Sequence, residues 1–188
     1  MTMRIRLLAA CLIAPLAAAA GAVAAQTAPP AAPPPAPVAR TELHTAEGTD
    51  FGTVTAFSGP QGMLFRIEGR NWPAGWHSVH LHTVGKCEGP GFTSAGGHLN
   101  HEHASPHGLL NFSGGPDMGD LQNVWAAADG TANAEVYLAH AATEGVAVDL
   151  LAGDGVTFMV HAAGDDHVSQ PIGGAGPRIA CGVFEAPN

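Results

Sequence analysis

Eleven histidines occur in a chain in which only 12% of residues are charged, and six of the eleven fall between His77 and His103. The densest run is Gly75-Trp76-His77-Ser78-Val79-His80-Leu81-His82. Side chains on a β-strand alternate between its faces, so this spacing puts His80 and His82 on one face and His77 on the other. Two imidazoles held on one face of a rigid strand make a natural half of a metal site, with His77 left to tie the strand to backbone. Further ligand-type side chains follow in separate segments. They are His98 at the end of Ser94-Ala95-Gly96-Gly97-His98, then His107, then Asp117 and Asp120 in Pro116-Asp117-Met118-Gly119-Asp120, and finally His161 and Asp165 in His161-Ala162-Ala163-Gly164-Asp165. Imidazole nitrogen and carboxylate oxygen are the donors that copper and zinc take.

Such distant segments meet only on a scaffold, and the scaffold reads as β. Short alternating or β-branched runs are separated by turn residues, and no long helical periodicity is present. The candidate strands are Arg40–Thr45, Phe51–Phe57, Met63–Glu68, Trp76–Val84, Val124–Ala128, Ala132–Leu138, Val156–His161 and Ile179–Phe184. Ser58-Gly59-Pro60-Gln61-Gly62 closes the first hairpin, and Asp129-Gly130 is a tight-turn signal between two later strands. About eight strands suggest a closed or sandwiched antiparallel barrel. Lys86–Asn123 and Ala162–Arg178 fit no strand, and loops longer than about 12–15 residues within a domain are usually functional. Both carry the unusual side chains.

The N-terminus reads as a cleaved secretory signal over residues 1–25: Arg4 and Arg6, an apolar run from Leu7, then small residues to Ala25. Cys11 precedes most of the apolar run and is expected to be lost with it. Residues 26–39 are almost wholly alanine and proline and read as a solvated tether, leaving 40–188 as one domain. Without Arg4 and Arg6, five of the seven basic residues face sixteen acidic ones, a net charge of −11. Nucleic acid and anionic membrane are poor partners for that surface. No further apolar run is long enough to span a bilayer. The two remaining cysteines, Cys87 and Cys181, lie in a chain bound for an oxidising compartment, where one disulfide is the default.

Taken in order, the histidine and aspartate segments and the closing Gly176-Pro177-Arg178-Ile179-Ala180-Cys181-Gly182-Val183 resemble the copper,zinc superoxide dismutase family, in its bacterial exported form, over nearly all of Phe51–Glu185. The resemblance implies an all-β fold, an eight-stranded antiparallel Greek-key β-barrel (an immunoglobulin-like sandwich) with two long functional loops. It implies dismutation of superoxide to dioxygen and hydrogen peroxide, one copper and one zinc per chain, and a periplasmic location. Carried over position by position, His80, His82, His98 and His161 match the copper ligands. His98 matches the residue that bridges to zinc and takes up and returns a proton, and His107 and Asp120 match zinc ligands. Asp165 matches the carboxylate that hydrogen-bonds a ligand from each metal. Arg178 matches the arginine that guides the anionic substrate, and Cys87 and Cys181 match the intramolecular disulfide. Four imidazoles suit Cu(II), a mixed nitrogen and oxygen set suits Zn(II), and a permanently charged guanidinium suits an anion guide.

The chain departs from the pattern at Asp117, where most of the family has a third zinc histidine; the expected zinc set is therefore His98, His107, Asp117 and Asp120. His101 or His103 as replacement ligands, or a weak or absent zinc site, are the alternatives. Ser78 stands where the family usually has glycine, and His101 where it usually has proline. Lys86 joins Arg178 as a local source of positive charge. His44, His140 and His167 find no partner in the sequence and are assigned to the surface, while Met63, Met118 and Met159 are assigned to packing. Two rival functions remain: a non-catalytic exported copper and zinc binder, which would not need Arg178, and a copper-only enzyme, which would not need His107 and Asp120. The sequence leaves open pairing into a homodimer.

Overall fold

β1 (Ala39–His44) buries every second residue, β2 (Asp50–Gly59) buries Phe51 through Val54 in succession, and β3 (Gly62–Gly69) alternates over its second half and forms a hairpin with β2 in which Gly59 lies opposite Gly62. The structure is a computed structural model and describes residues 33–100, 105–139 and 149–187. The remaining strands there are β4 (Gly75–His77), β5 (Val79–His82), β6 (Val124–Ala126), β7 (Ala132–Leu138), β8 (Thr157–His161) and β9 (Arg178–Val183). Seven of them form one antiparallel sheet in the order β5-β8-β9-β1-β2-β3-β7. The other two, β4 and β6, pair with each other and bridge its ends. Gln122 ties the start of β6 to Tyr137 of β7 by two hydrogen bonds, and β4 runs into β5 through Ser78. The all-β barrel expected from the sequence is the fold observed.

The run Trp76–Val84, expected as one strand, is two. The break falls at Ser78, whose N–H donates to Ala163 O and whose carbonyl accepts from His161 N–H. With its backbone groups taken by the β8 end, Ser78 belongs to neither ladder, so β4 can pair with β6 while β5 pairs with β8. The eight expected segments therefore appear as nine strands. Ala132–Leu138 is found with the expected bounds, and no other bound shifts by more than two residues.

Val54, Phe65, Ile67, Leu81, Leu121, Phe158 and Val160 fill the barrel, all with 1% exposure or less. Burying each such side chain stabilises the fold by roughly 1.5–3 kcal/mol. The parity of β5 then decides the site: Val79 and Leu81 join this core, so His80 and His82 project from the other face. That face is not solvent. The loop after β5 folds back along the open edge of the strand, with Leu81 N–H donating to Gly119 O, Leu99 N–H to Leu81 O and Thr83 N–H to Gly97 O. An edge strand is thereby covered, and the loop delivers His98 opposite His82 and Asp120 opposite His80. Met63 and Met118 pack on the main core, and Met159 packs beside Cys181.

Candidate metal centre

Four histidines from three places converge on the outer face of β5 and β8. His80 and His82 come from β5, His161 ends β8, and His98 follows the short 3-10 turn Thr93–Ala95. One ring nitrogen from each lies within 4.8 Å of the others. Each ring is fixed from behind. His82 Nδ1 lies 3.0 Å from Gly96 O, His161 Nδ1 lies 3.1 Å from Gly176 O, and His80 Nε2 lies 3.0 Å from Asp165 Oδ2. The opposite atoms, His80 Nδ1, His82 Nε2, His98 Nε2 and His161 Nε2, are buried with no hydrogen-bond partner among the described residues. A buried unpaired polar atom costs free energy, and four aimed at one space are what a metal ion would satisfy.

Burial drives the His82 imidazole down to about 2, with Arg178 adding to the effect, and the His161 imidazole down to about 3, with His80 adding to it. Burial also lowers His80. These rings are therefore neutral, the form in which an imidazole ligates.

The second cluster shares His98. Its Nδ1 lies 3.0 Å from Asp117 Oδ2 and 3.4 Å from Asp120 Oδ1, while His107 Nδ1 lies 2.5 Å from Asp120 Oδ1 and 4.0 Å from Asp117 Oδ2. His107 Nδ1 and Asp120 Oδ1 are close but misaligned, and both lack a hydrogen bond. The other carboxylate oxygens are occupied: Asp120 Oδ2 accepts from Gly108 and Asp117 N–H, and Asp117 Oδ1 accepts from Gly119 N–H. Two nitrogens and two oxygens thus face one another over distances that bracket the edge of a zinc tetrahedron. His98, His107, Asp117 and Asp120 are brought together as the sequence expects. His80, His98, His107 and Asp120 also lie within 4.8 Å of one another, which shows how closely the two clusters abut.

Here the electrostatics reverse. Burial alone would lower His98, but the Asp117 and Asp120 carboxylates outweigh it and raise its basicity. Asp120 and Asp165 likewise outweigh burial at His107 and push it up to about 10, and His107 holds both carboxyls far below their usual range despite burial.

Asp165 joins the clusters. It accepts from His80 Nε2 at 3.0 Å and His107 Nε2 at 3.0–3.1 Å, leaving Nδ1 of each ring as the free donor. Gly173, at φ 59, lies against this carboxylate, where an added Cβ would overlap Asp165 Oδ1. His77 sits behind the site with its two ring nitrogens 2.7 Å from the carbonyl oxygens of His161 and Pro73. Arg178 opens β9, and its Nη1 and Nη2 donate to Phe92 O and Gly96 O, both at 2.7 Å. Burial lowers the guanidinium somewhat from its ordinary value. Cys87 and Cys181 form a disulfide that ties the same loop to β9.

The family described as "Copper/zinc superoxide dismutase (SODC)" matches residues 51–184. The chain belongs to the copper/zinc superoxide dismutase family. It is 44% identical over 149 residues to "Superoxide dismutase [Cu-Zn]" of Caulobacter vibrioides, covering 78% of this chain and 85% of that protein. It is 33% identical over 148 residues to "Superoxide dismutase [Cu-Zn] 2" of Aquifex aeolicus, with coverage of 78% and 85%. Among solved structures, the SOD-like protein from Bacillus subtilis is similar at TM-score 0.69 and 30% identity, over 77% of this chain and 96% of that one. The Cu/Zn superoxide dismutase from Brucella abortus is similar at TM-score 0.62 and 29% identity, over 78% and 98%.

Some side chains that support this superoxide dismutase site were not singled out from the sequence, or were placed elsewhere. Gln170 brackets His107, accepting its N–H at 3.1 Å and donating to its carbonyl at 2.7 Å. Asn123 brackets Asp165 in the same way at 2.9 and 2.8 Å. His167, assigned to the surface, instead lies against Asn123 and Asp165. His44 is half-exposed beside Glu42, as assigned. His101, His103 and His140 lie outside the described residues. Only the polar run Asp165-Asp166-His167 carried a signal.

Proposed function

We propose that the chain is an exported, periplasmic superoxide dismutase in which His80, His82, His98 and His161 hold copper and His98, His107, Asp117 and Asp120 hold zinc. Family membership makes it an oxidoreductase acting on superoxide with copper and zinc. The observation that carries the residue assignment is the set of inward, unpaired donor atoms: four ring nitrogens in one cluster, His107 Nδ1 and Asp120 Oδ1 in the next, with His98 facing both. Bound copper supplies a reversible one-electron couple and bound zinc a fixed positive charge.

The protein supplies the rest. Arg178, beside His161 in the β8–β9 ladder and held by two loop carbonyls, provides a fixed cation to draw and hold a small anion. His98 Nε2 is the atom placed to hold and give up a proton, since it is buried and unpaired while Nδ1 is gripped by carboxylates. Two superoxide anions and two protons leave as dioxygen and hydrogen peroxide, so one proton source at the site is the minimum requirement. Asp165 keeps His80 and His107 in the ligating tautomer. Export is supported by the signal-like residues 1–25 and by the disulfide, which suits an oxidising compartment.

The deciding experiment measures superoxide dismutation by the mature protein loaded with both metals, with metal content on the same sample. Rapid turnover that falls in Arg178→Ala at unchanged metal content supports the reading. Full copper without turnover overturns it and leaves a metal-binding protein.

A further inference from the structure

Asp165 accepts hydrogen bonds from His80 in one cluster and His107 in the other, so whatever fixes Asp165 acts on both. Its backbone is held by Asn123, whose Oδ1 accepts the Asp165 N–H at 2.9 Å and whose Nδ2 donates to the Asp165 carbonyl at 2.8 Å. That pair settles the orientation of the Asn123 amide, because a backbone N–H can only donate. Asn123 Nδ2 also lies 3.2 Å from His167 Nε2. An amide NH2 carries no lone pair to offer, so His167 Nε2 is the acceptor and the proton of its neutral ring sits on Nδ1. His167 Nδ1 is buried, has no hydrogen-bond partner among the described residues, and lies 3.7 Å from Asp165 Oδ2, beyond hydrogen-bond distance but within reach of its charge.

The backbone of His167 serves the same carboxylate. It adopts φ 61, a left-handed conformation uncommon for any residue but glycine. There its N–H donates to Asp165 Oδ1 at 2.6 Å and its carbonyl accepts from Leu110 N–H at 3.0 Å. The ring is not core filling. Its side chain is 18% exposed and lines an outer cleft with Trp76, Asn123, Gly164 and Asp166.

We propose that His167 is a positioning residue for the dismutase centre: its Nδ1–H, in the tautomer set by Asn123 and 3.7 Å from the carboxylate, acts electrostatically on Asp165 and favours the placement in which His80 and His107 both present Nδ1 to the metals. The polar chain runs from Asn123 through His167 and Asp165 to one ligand of each cluster. This rests on the reading of His80 and His107 as copper and zinc ligands.

The test uses the copper- and zinc-loaded protein in its reduced, diamagnetic form. His167→Gly keeps the left-handed backbone and its N–H to Asp165 but removes the ring. It is expected to release zinc to an excess of a chromogenic chelator about tenfold faster than the wild type, the lower end of what loss of an outer hydrogen-bond partner costs a metal site. Its His107 Nε2–H proton, less firmly held by Asp165, is expected to exchange with water faster than in the wild type. Wild-type zinc release and an unchanged exchange rate of the His107 Nε2–H in this variant overturn the proposal, even if the melting temperature falls, because the ring would then be packing alone. Should the variant fail to fold, the wild-type His167 ring decides: protonation at Nδ1 supports the relay, and protonation at Nε2 overturns it. Neither readout needs turnover. A wild-type protein that binds both metals without dismuting superoxide would defeat the proposed activity while leaving this test intact.

Discussion

His98 Nδ1 lies 3.0 Å from Asp117 Oδ2, so the ring shared by the two clusters is gripped by a carboxylate where most of its family offers a third histidine. The substitution exchanges a neutral donor for an anionic one beside the site that must attract an anion. At a few ångströms within a partly dry site, one charge is felt at the copper cluster.

Asp117→His is accordingly expected to dismutate superoxide about two- to fivefold faster than the wild type at low ionic strength, with the gap closing as salt screens the site. Rates are compared at equal copper and zinc content across a salt series. Equal rates at low salt would remove the electrostatic argument.

Asp165 makes a second case. Its Oδ2 lies 3.0 Å from both His80 Nε2 and His107 Nε2, one ring from each side of the shared His98. Asp165→Asn keeps the shape but offers one acceptor oxygen and an NH2 that faces N–H donors. Affinity for both metals should fall about 10- to 100-fold. Competition against chelators of graded strength measures it, and loss at one metal only would contradict the bridging role.

How much of this was legible in the sequence follows from what each level of structure depends on. The parity of His80 and His82 is a local property of a strand, and it held because Val79 and Leu81 claim the barrel side. The length of that strand did not hold, because the break at Ser78 is made by Ala163 and His161, far away in the chain. His80 and His82 announced themselves by type and spacing, whereas His98, His107, Asp117, Asp120 and His161 were grouped into ligand sets through the family resemblance. Asn123, Gln170 and His167 act by bonding backbone or carboxylate across distances in sequence of 42 to 63 residues for the first two, and nothing local marks such a partner. Asp165 was found through family resemblance, whereas its own supports needed coordinates.

The metal-free protein should show a stability maximum near pH 6.5. His107 is raised to about 10 by Asp120 and Asp165 against burial, so its contribution is full below its unfolded value of about 6.5 and is lost as pH climbs toward 10. His82 and His161 are lowered by burial to about 2 and about 3, so the unfolded chain takes up protons that the fold refuses, and stability falls as pH drops from about 6.5 toward 3. Urea denaturation of the metal-free protein from pH 4 to 10, with the disulfide intact, reads both limbs. Stability that increases from pH 7 to 9 would refute the His107 assignment. Zinc addition at pH 7 should also release protons, detected with a weakly buffered indicator.

Cys87 and Cys181 are separated by 94 residues, and in the chain-entropy model closing a loop of that size stabilises the fold by about 4–5 kcal/mol. The bond has a second task that its energy does not measure. The loop it pins to β9 supplies Phe92 O and Gly96 O to Arg178, and Gly96 O also holds His82. Cys87→Ala should therefore lower the melting temperature of the metal-free protein by about 10–20 °C. At temperatures where the variant stays folded and fully metallated, it should also dismutate more slowly, because Arg178 loses its frame. Calorimetry and an assay at matched metal content separate the two effects. A variant that melts early yet turns over at the wild-type rate would show that the loop holds Arg178 without the disulfide.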